Sequence, residues 1–266
     1  MGLYMNNTAT TEALPVFTCA CQIMDVTPLS ANTFQVELQS PTGTTLRYQA
    51  GQYLQLELDL NDDGQTQSLF YSIANRFNPE QPRRLELFIQ NSSELADKIL
   101  KHLSQLTESN EKVNVTLPMG KAFLQTNLSS THLFIAAGSG ISKIKCLIEE
   151  ALSQKSDAQV NVYWSNKNID DFYLMEQFQH WAVQNKNFSF TPILESPHQY
   201  WLGRSGYIYE VIENDFERLD ETQVYLCGSP QMVYGTIDKL NSRGLKENHC
   251  YSDVFEYAPR DQKIAI

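Results

Sequence analysis

The sequence predicts a two-domain β plus α/β protein, an antiparallel β-barrel followed by a domain built on a parallel sheet. Three observations predict it. The chain has 266 residues, and a domain typically takes roughly 100 to 200, so about two are expected. From Val16 to about Pro118, short alternating or apolar runs are separated by turn residues, the pattern of a small antiparallel barrel. After Leu128-Ser129-Ser130 the texture changes to strand, glycine turn, helix, strand and helix, which is the order of a parallel sheet with crossover connections. The expected division is a polar tail over 1–15, the barrel over 16–126, the α/β domain over 131–257 and a second tail over 258–266.

In chain order, the barrel strands are expected at 18–24, 33–39, 53–58, 69–73, 85–90 and 113–117. Their turn signals are Pro41-Thr42-Gly43, Asn61-Asp62-Asp63-Gly64 and Asn78-Pro79. One helix interrupts them at 94–106, with Leu95, Ile99, Leu100 and Leu103 on one face and Ser92 or Ser93 placed to cap it. In the second half, near-continuous apolar runs predict buried parallel strands at 132–136, 160–164, 188–194 and 223–226. Helices are expected at 142–152, 172–184, 208–212 and 230–243.

Charge and cysteine content narrow the function classes. Twenty Lys and Arg against 31 Asp and Glu give a net charge of −11, which argues against nucleic acid or an anionic membrane face as a partner. Five scattered cysteines do not make a disulfide scaffold and fit a reducing compartment. The start lacks a basic segment followed by an apolar one, and no run approaches the roughly 18 apolar residues of a membrane helix, so a cytoplasmic protein is expected. Gly2 does not open a myristoylation signal, because Asn6 stands where Ser or Thr is required. No metal site is expected: the histidines lack ligand spacing, and Cys19 and Cys21 read as two residues on one face of a strand. An iron-sulfur signature is also missing.

Three segments carry chemistry. The run 133–137 enters Gly138-Ser139-Gly140-Ile141-Ser142 and then a helix; glycines there allow a tight turn and close approach, and helix-start N–H groups favour an anion such as a pyrophosphate. A strand-to-helix turn with no ligand reads the same way. The third glycine of the dinucleotide fingerprint is missing, and the turn is neither a P-loop nor a nucleophile elbow. The strand ending at Leu226 leads into Cys227-Gly228-Ser229-Pro230-Gln231-Met232, where Cys227 either faces a ligand crevice or is a small buried residue closing the strand. In the barrel, Gly51-Gln52-Tyr53 and Phe70-Tyr71-Ser72-Ile73-Ala74-Asn75 suit a flat heteroaromatic ring with hydrogen bonds at its edge, or an ordinary barrel core.

Taken in order, these motifs resemble the ferredoxin-NADP reductase superfamily over about 16–257. Within it the chain is most similar to the bacterial NAD(P)H:flavin oxidoreductases, including those that supply luciferase with reduced flavin. Residues 162–167, 201–206 and the ending Asp253-Val254-Phe255-Glu256-Tyr257 carry that closer likeness. The resemblance implies a Greek-key flavin-binding β-barrel followed by a Rossmann-like nicotinamide-binding domain. It places the flavin on Tyr71, Ser72, Ile73 and Ala74, with Tyr71 against the ring and Ser72 near N5. The turn of Gly138, Ser139, Gly140, Ile141 and Ser142 receives the pyrophosphate. Cys227 and Gly228 lie beside the nicotinamide, and Phe255 or Tyr257 sits near the flavin. Ser72 and Cys227 are the implied catalytic pair. Catalysis is then mainly alignment for a hydride passing from nicotinamide C4 to flavin N5.

The chain departs from that pattern where flavin phosphate is held. Leu69 stands in place of the family's phosphate-binding arginine, which removes a strong bidentate contact. Ser92 and Ser93 remain as donors, but Glu94 at the helix start repels a second anion. Riboflavin or FMN visiting as a substrate is therefore expected, with firmly held FMN or FAD as the alternative. Lys167 occupies the place of a ribose-binding arginine, but Asp170 and Asp171 weaken a preference for a 2′-phosphate, so NADH and NADPH both stay open. Arg204, Lys143 and Lys145 are the other local cations for anionic ligands. Two alternatives accompany this reading: a flavin-retaining electron-transfer component serving an oxygenase, and a non-catalytic binding module of the same fold. Downstream acceptors of reduced flavin would be a flavin-dependent monooxygenase or ferric iron.

Overall fold

A computed structural model describes residues 13–61, 63–124, 130–154 and 157–260. Strands β1 (Phe17–Pro28), β2 (Thr33–Gln39), β3 (Tyr53–Leu58), β4 (Gln67–Ser72), β5 (Arg84–Gln90) and β6 (Lys112–Met119) form an antiparallel sheet of order β4-β3-β6-β1-β2-β5. Along β3, Leu54, Leu56 and Leu58 are buried and the residues between them are not, so the alternation in sequence becomes one face of a curled sheet. No ladder joins the edge strands β4 and β5 among the described residues, but just beyond β4 the Ala74 N–H donates to the Glu86 carbonyl at 2.8 Å. The barrel is thus a curled sheet whose edges meet at one end.

Helix α1 (Glu94–Ser109) packs against this sheet through Ile99, Leu100, Leu103 and Leu106. Ser93 Oγ accepts from the Ala96 N–H at 3.1 Å, and Asn110, at φ 57°, ends the helix in the left-handed conformation. Leu95, expected on the buried face, is 49% exposed because it lies in the first turn, outside the packed stripe.

The second sheet is parallel. Its strands β7 (His132–Ala137), β8 (Val160–Asn166), β9 (Phe188–Leu194), β10 (Arg204–Ser205), β11 (Gln223–Cys227) and β12 (Cys250–Tyr251) are ordered β10-β9-β8-β7-β11-β12. The connecting helices are α2 (Ile141–Ser153), α3 (Met175–Gln184), α4 (Ile208–Asp215) and α5 (Pro230–Leu240), and a short α6 (Val254–Tyr257) follows β12. The strand order reverses between β7 and β11, where an open α/β sheet presents its ligand crevice. The helix expected from 172 begins at Met175, after a 3₁₀ turn, and the one expected to 243 ends at Leu240, followed by another. The expected junction at 126–131 and the two tails fall largely outside the described residues. No helix among the described residues is long and apolar enough to cross a membrane.

His132 opens β7 fully buried and stacked on Tyr225, with Nδ1 2.9 Å from the Ser130 carbonyl and no partner for Nε2. Burial pushes its imidazole below the ordinary value of 6.5, with the Ser130 carbonyl opposing. The folded protein keeps the ring neutral while the unfolded chain takes up a proton near pH 6.5, so its contribution is present above that pH and lost as pH falls through it. Urea midpoints at pH 7.5 and 5.5 are expected to differ more for the native chain than for His132→Phe; equal differences would assign the acid sensitivity elsewhere.

Candidate active site

A cleft of about 1130 Å³ runs along the junction of the two sheets. The barrel contributes Phe70, Tyr71 and Ser72 from β4, Phe88 to Gln90 from β5, and Ser92. The parallel sheet contributes the ends of its strands: Ala137 to Gly140 after β7, Ser165 to Lys167 at β8, and Cys227 to Ser229 after β11. The two glycine turns lie against each other, since a Cβ on Gly140 would strike the Cys227 carbonyl. Gly138 has φ +55°, a conformation that favours glycine, and its carbonyl accepts from Trp164 Nε1 at 2.9 Å. Ser229 Oγ caps α5 by accepting from the Met232 N–H at 3.2 Å, with Pro230 in the first turn. The two walls are joined directly where Ser142 Oγ donates to the Ser72 carbonyl at 3.3 Å.

Burial pushes the Tyr71 phenol to about 12 and the Cys227 thiol to about 12, the latter against the opposing pull of Lys143. Cys227 is therefore a neutral thiol, suited to contact rather than nucleophilic attack.

Several residues expected at the ligand do not line the cleft. Ile73, Ala74 and Ile141 are fully buried beneath the cleft. The backbone N–H groups of Ile73 and Ala74 are already given to the Gln52 and Glu86 carbonyls, at 3.2 and 2.8 Å. Phe255 packs on Tyr234 with ring centroids 5.8 Å apart, and Tyr257 is 64% exposed; neither lines the cleft. Lys143 and Lys145, expected as local cations for anionic ligands, are 1% and 6% exposed and bound to carboxylates. Arg204 is paired with Asp215 at 2.9 Å, off the cleft. Lys167 does line it, together with Asp171 and Glu195.

Sequence reasoning named Phe70 only within the 70–75 segment, and it passed over Glu195 and the Tyr207–Tyr209 pair. Phe70 is 59% exposed on the edge strand and meets Tyr53 edge to face, at 6.1 Å. Tyr207 and Tyr209 stack at 5.5 Å on the opposite wall. Glu195 directly follows the carboxyl end of β9, and the rule that placed Cys227 would have found it.

The sequence profile of the oxidoreductase NAD-binding domain family matches residues 134–237. A probable flavin reductase from Vibrio harveyi is 30% identical over 241 residues, covering 89% of this chain and 99% of that protein. This chain is a member of the flavin reductases of the ferredoxin-NADP reductase superfamily. An NAD(P)H-flavin reductase from Aliivibrio fischeri is 21% identical, with 89% of this chain and 98% of that one covered. Among solved structures, an Amycolatopsis cytochrome P450 reductase has a similar fold, with a TM-score of 0.77 at 21% identity over 90% of this chain and 70% of that one. As an NAD(P)H-dependent flavin reductase, the protein uses a nicotinamide nucleotide and a flavin. An exposed aromatic on β4, a hydroxyl at Ser72 and a glycine turn opposite are suited to a flat ring facing a dinucleotide.

Proposed function

We propose that this flavin reductase moves a hydride from NADH to riboflavin or FMN that enters and leaves as a substrate. The observation that carries this reading is the composition of the cleft: Ser72 and Cys227 share it, while Lys167 is the sole cation among the described residues that line it. Among the described residues no arginine fork lines the cleft to meet a flavin phosphate, so affinity rests on stacking and edge hydrogen bonds, which favours release. When both ligands are bound, the nicotinamide supplies a hydride and the flavin ring accepts it at N5. The chain's residues orient the two rings. Tyr71 and Phe70 support the flavin, the Ser72 hydroxyl donates at its edge, and Cys227 and Gly228 give the nicotinamide a small, uncharged surface. Gly138, Ser139 and Gly140 take the pyrophosphate against the start of α2. In this reading residues 16–126 are the flavin domain and 131–257 the nucleotide domain.

The test is oxidation of NADH by purified protein with riboflavin or FMN added. Ser72→Ala is expected to lower turnover by about ten- to a hundredfold while the melting temperature stays put. Unchanged turnover would remove Ser72 from the site, and no turnover in the native chain would leave a binding module.

NADH is favoured over NADPH because Asp171 and Glu195 line the same cleft as Lys167. A ribose hydroxyl donates to a carboxylate, whereas a 2′-phosphate meets two like charges. A preference of about tenfold or more in kcat/KM is expected, equivalent to about 1.4 kcal/mol. Glu195→Gln should narrow it; a native chain faster with NADPH would reverse the assignment.

A second reading is a flavin-retaining component that passes electrons to an oxygenase. It is favoured by the extension of the cleft past β5 to Ser92 and Ala96, where a longer flavin would reach. The anthranilate 1,2-dioxygenase electron transfer component from Acinetobacter baylyi is 26% identical over 211 residues. Yellow protein after gel filtration supports this reading, and colourless protein that needs added flavin supports the first.

A further inference from the structure

The two domains meet through a polar seam along one face of α2. Its side chains at 142, 145, 146 and 149 follow the i, i+3, i+4, i+7 spacing of a single helix face. Each takes one backbone group of the last β4 residue or of the segment that continues it. Ser142 Oγ donates to the Ser72 carbonyl at 3.3 Å, Lys145 Nζ to the Ala74 carbonyl at 3.2 Å and Cys146 Sγ to the Asn75 carbonyl at 3.0 Å. Glu149 Oε2 accepts from the Arg76 N–H at 2.9 Å.

Lys145 is the hub. It also reaches Glu149 Oε1 at 2.6 Å and Glu86 Oε2 at 3.2 Å, while Arg84 holds the other Glu86 oxygen at 2.9 Å. The segment is fixed from its barrel side as well, since Tyr48 Oη donates to the Asn75 carbonyl at 3.0 Å and Asn75 Oδ1 accepts from the Glu86 N–H at 2.8 Å. Burial pulls the Lys145 ammonium toward its neutral form, but Glu149 and Glu86 outweigh it and raise its pKa.

Burying an ammonium between domains is a costly way to gain stability, because an apolar side chain of similar size often does as well. Its distinct property is direction. Apolar packing is non-directional and lets surfaces slide, whereas hydrogen bonds weaken steeply with misalignment. The seam starts at Ser72 on the flavin wall and runs along the helix whose first residues form the pyrophosphate turn.

We infer that Lys145, with Glu86 and Glu149, is a positioning residue for hydride transfer, setting the spacing between the β4 wall and the glycine turn through the 72–76 seam. This rests on the reading of the cleft as a hydride-transfer site. Reacting atoms must lie about 3–3.5 Å apart, and a displacement of about 1 Å can cost about a hundredfold in rate.

The test compares Lys145→Met, Lys145→Arg and Glu149→Gln with the native chain, using NADH and NADH deuterated at C4. Lys145→Met is expected to lower saturating turnover by about ten- to a hundredfold, to raise the deuterium isotope effect on kcat, and to leave the KM for NADH within about threefold. Lys145→Arg, which keeps the charge and its reach, restores part of the rate; Glu149→Gln, less buried, gives a smaller shift in the same direction. Leu103→Ala, in the α1 core, is the control that loses stability without changing the isotope effect. Turnover and isotope effect equal to native in folded Lys145→Met would overturn the inference. Hydrogen exchange gives a readout free of turnover: amides of 72–77 should exchange faster in Lys145→Met while those of β1 and α1 do not. Unchanged exchange there also overturns the seam. A native chain that oxidises no NADH, with the exchange difference present, would refute the hydride-transfer reading and the positioning role assigned to Lys145 while keeping the seam.

Discussion

Gly140→Ala is expected to reduce turnover by more than about a hundredfold and to cost about 1–3 kcal/mol of stability. Gly140 has an ordinary helical φ of −57°, so backbone strain is not the cause. The cause is the neighbour. An added Cβ would overlap the Cys227 carbonyl oxygen and lie 2.7 Å from its carbonyl carbon, and both are backbone atoms that no rotamer change can move. The turns after β7 and β11 would have to separate, and those two turns are the proposed seats of the pyrophosphate and the nicotinamide. Gly228→Ala is the informative contrast. Its Cβ would meet the flexible end of Met232 and the Ala137 Cβ at 3.2 Å, so a side-chain shift absorbs most of the cost. Steady-state rates and urea midpoints of the two variants decide the matter. A Gly140→Ala protein as active as Gly228→Ala would mean that the approach of the two turns does not set the reacting geometry.

The contrast shows why much of the fold was readable before the site was. β2, β3 and β9 fall on the residues that the apolar pattern predicts, because alternation or a continuous apolar run reports burial on a single sheet. Ser93 caps α1 through the chemistry that its sequence position suggests. β1 runs on to Pro28, beyond its predicted end, because residues 22–28 pair with β2, a partner that periodicity within one strand does not reveal.

Charged residues of the second half were misread for a related physical reason. On a helix considered alone, Lys143 and Lys145 look solvated. α2, however, is covered by the sheet on one side and by the barrel on the other, so both lysines are buried and matched by carboxylates 110 and 59 residues distant in sequence. Glu195 follows a strand end that the rule for open α/β sheets points to, but its residue type alone does not separate it from an ordinary surface carboxylate. Its place on the cleft depends on the meeting of two sheets.

Asp253→Asn is expected to destabilise the protein by about 3–5 kcal/mol at neutral pH, because it leaves the Lys143 ammonium buried without its counter-charge. Nζ and Oδ1 are 2.7 Å apart, and the two side chains are 1% and 17% exposed. Burial holds the Asp253 carboxyl above its ordinary 3.8 even against the attraction of Lys143. The folded state therefore binds this proton more readily than the unfolded chain, so the carboxyl's contribution declines as pH rises from 3.8 through its folded value. The pair is thus a weak source of net stability, and Lys143→Met with Asp253→Asn should return to within about 1–2 kcal/mol of native, well above the single variant. Urea denaturation of the single and double variants measures this; a single variant as stable as native would mean that the lysine finds another partner or water. Geometry supplies a reason to keep the pair. Asp253 directly precedes α6, so the ion pair ties that turn to α2, while Glu256 on the same turn accepts from the Lys121 N–H at 2.8 Å and ties it to the loop after β6. If placement is its role, the double variant will recover stability without recovering turnover, and recovery of both would reduce the pair to packing.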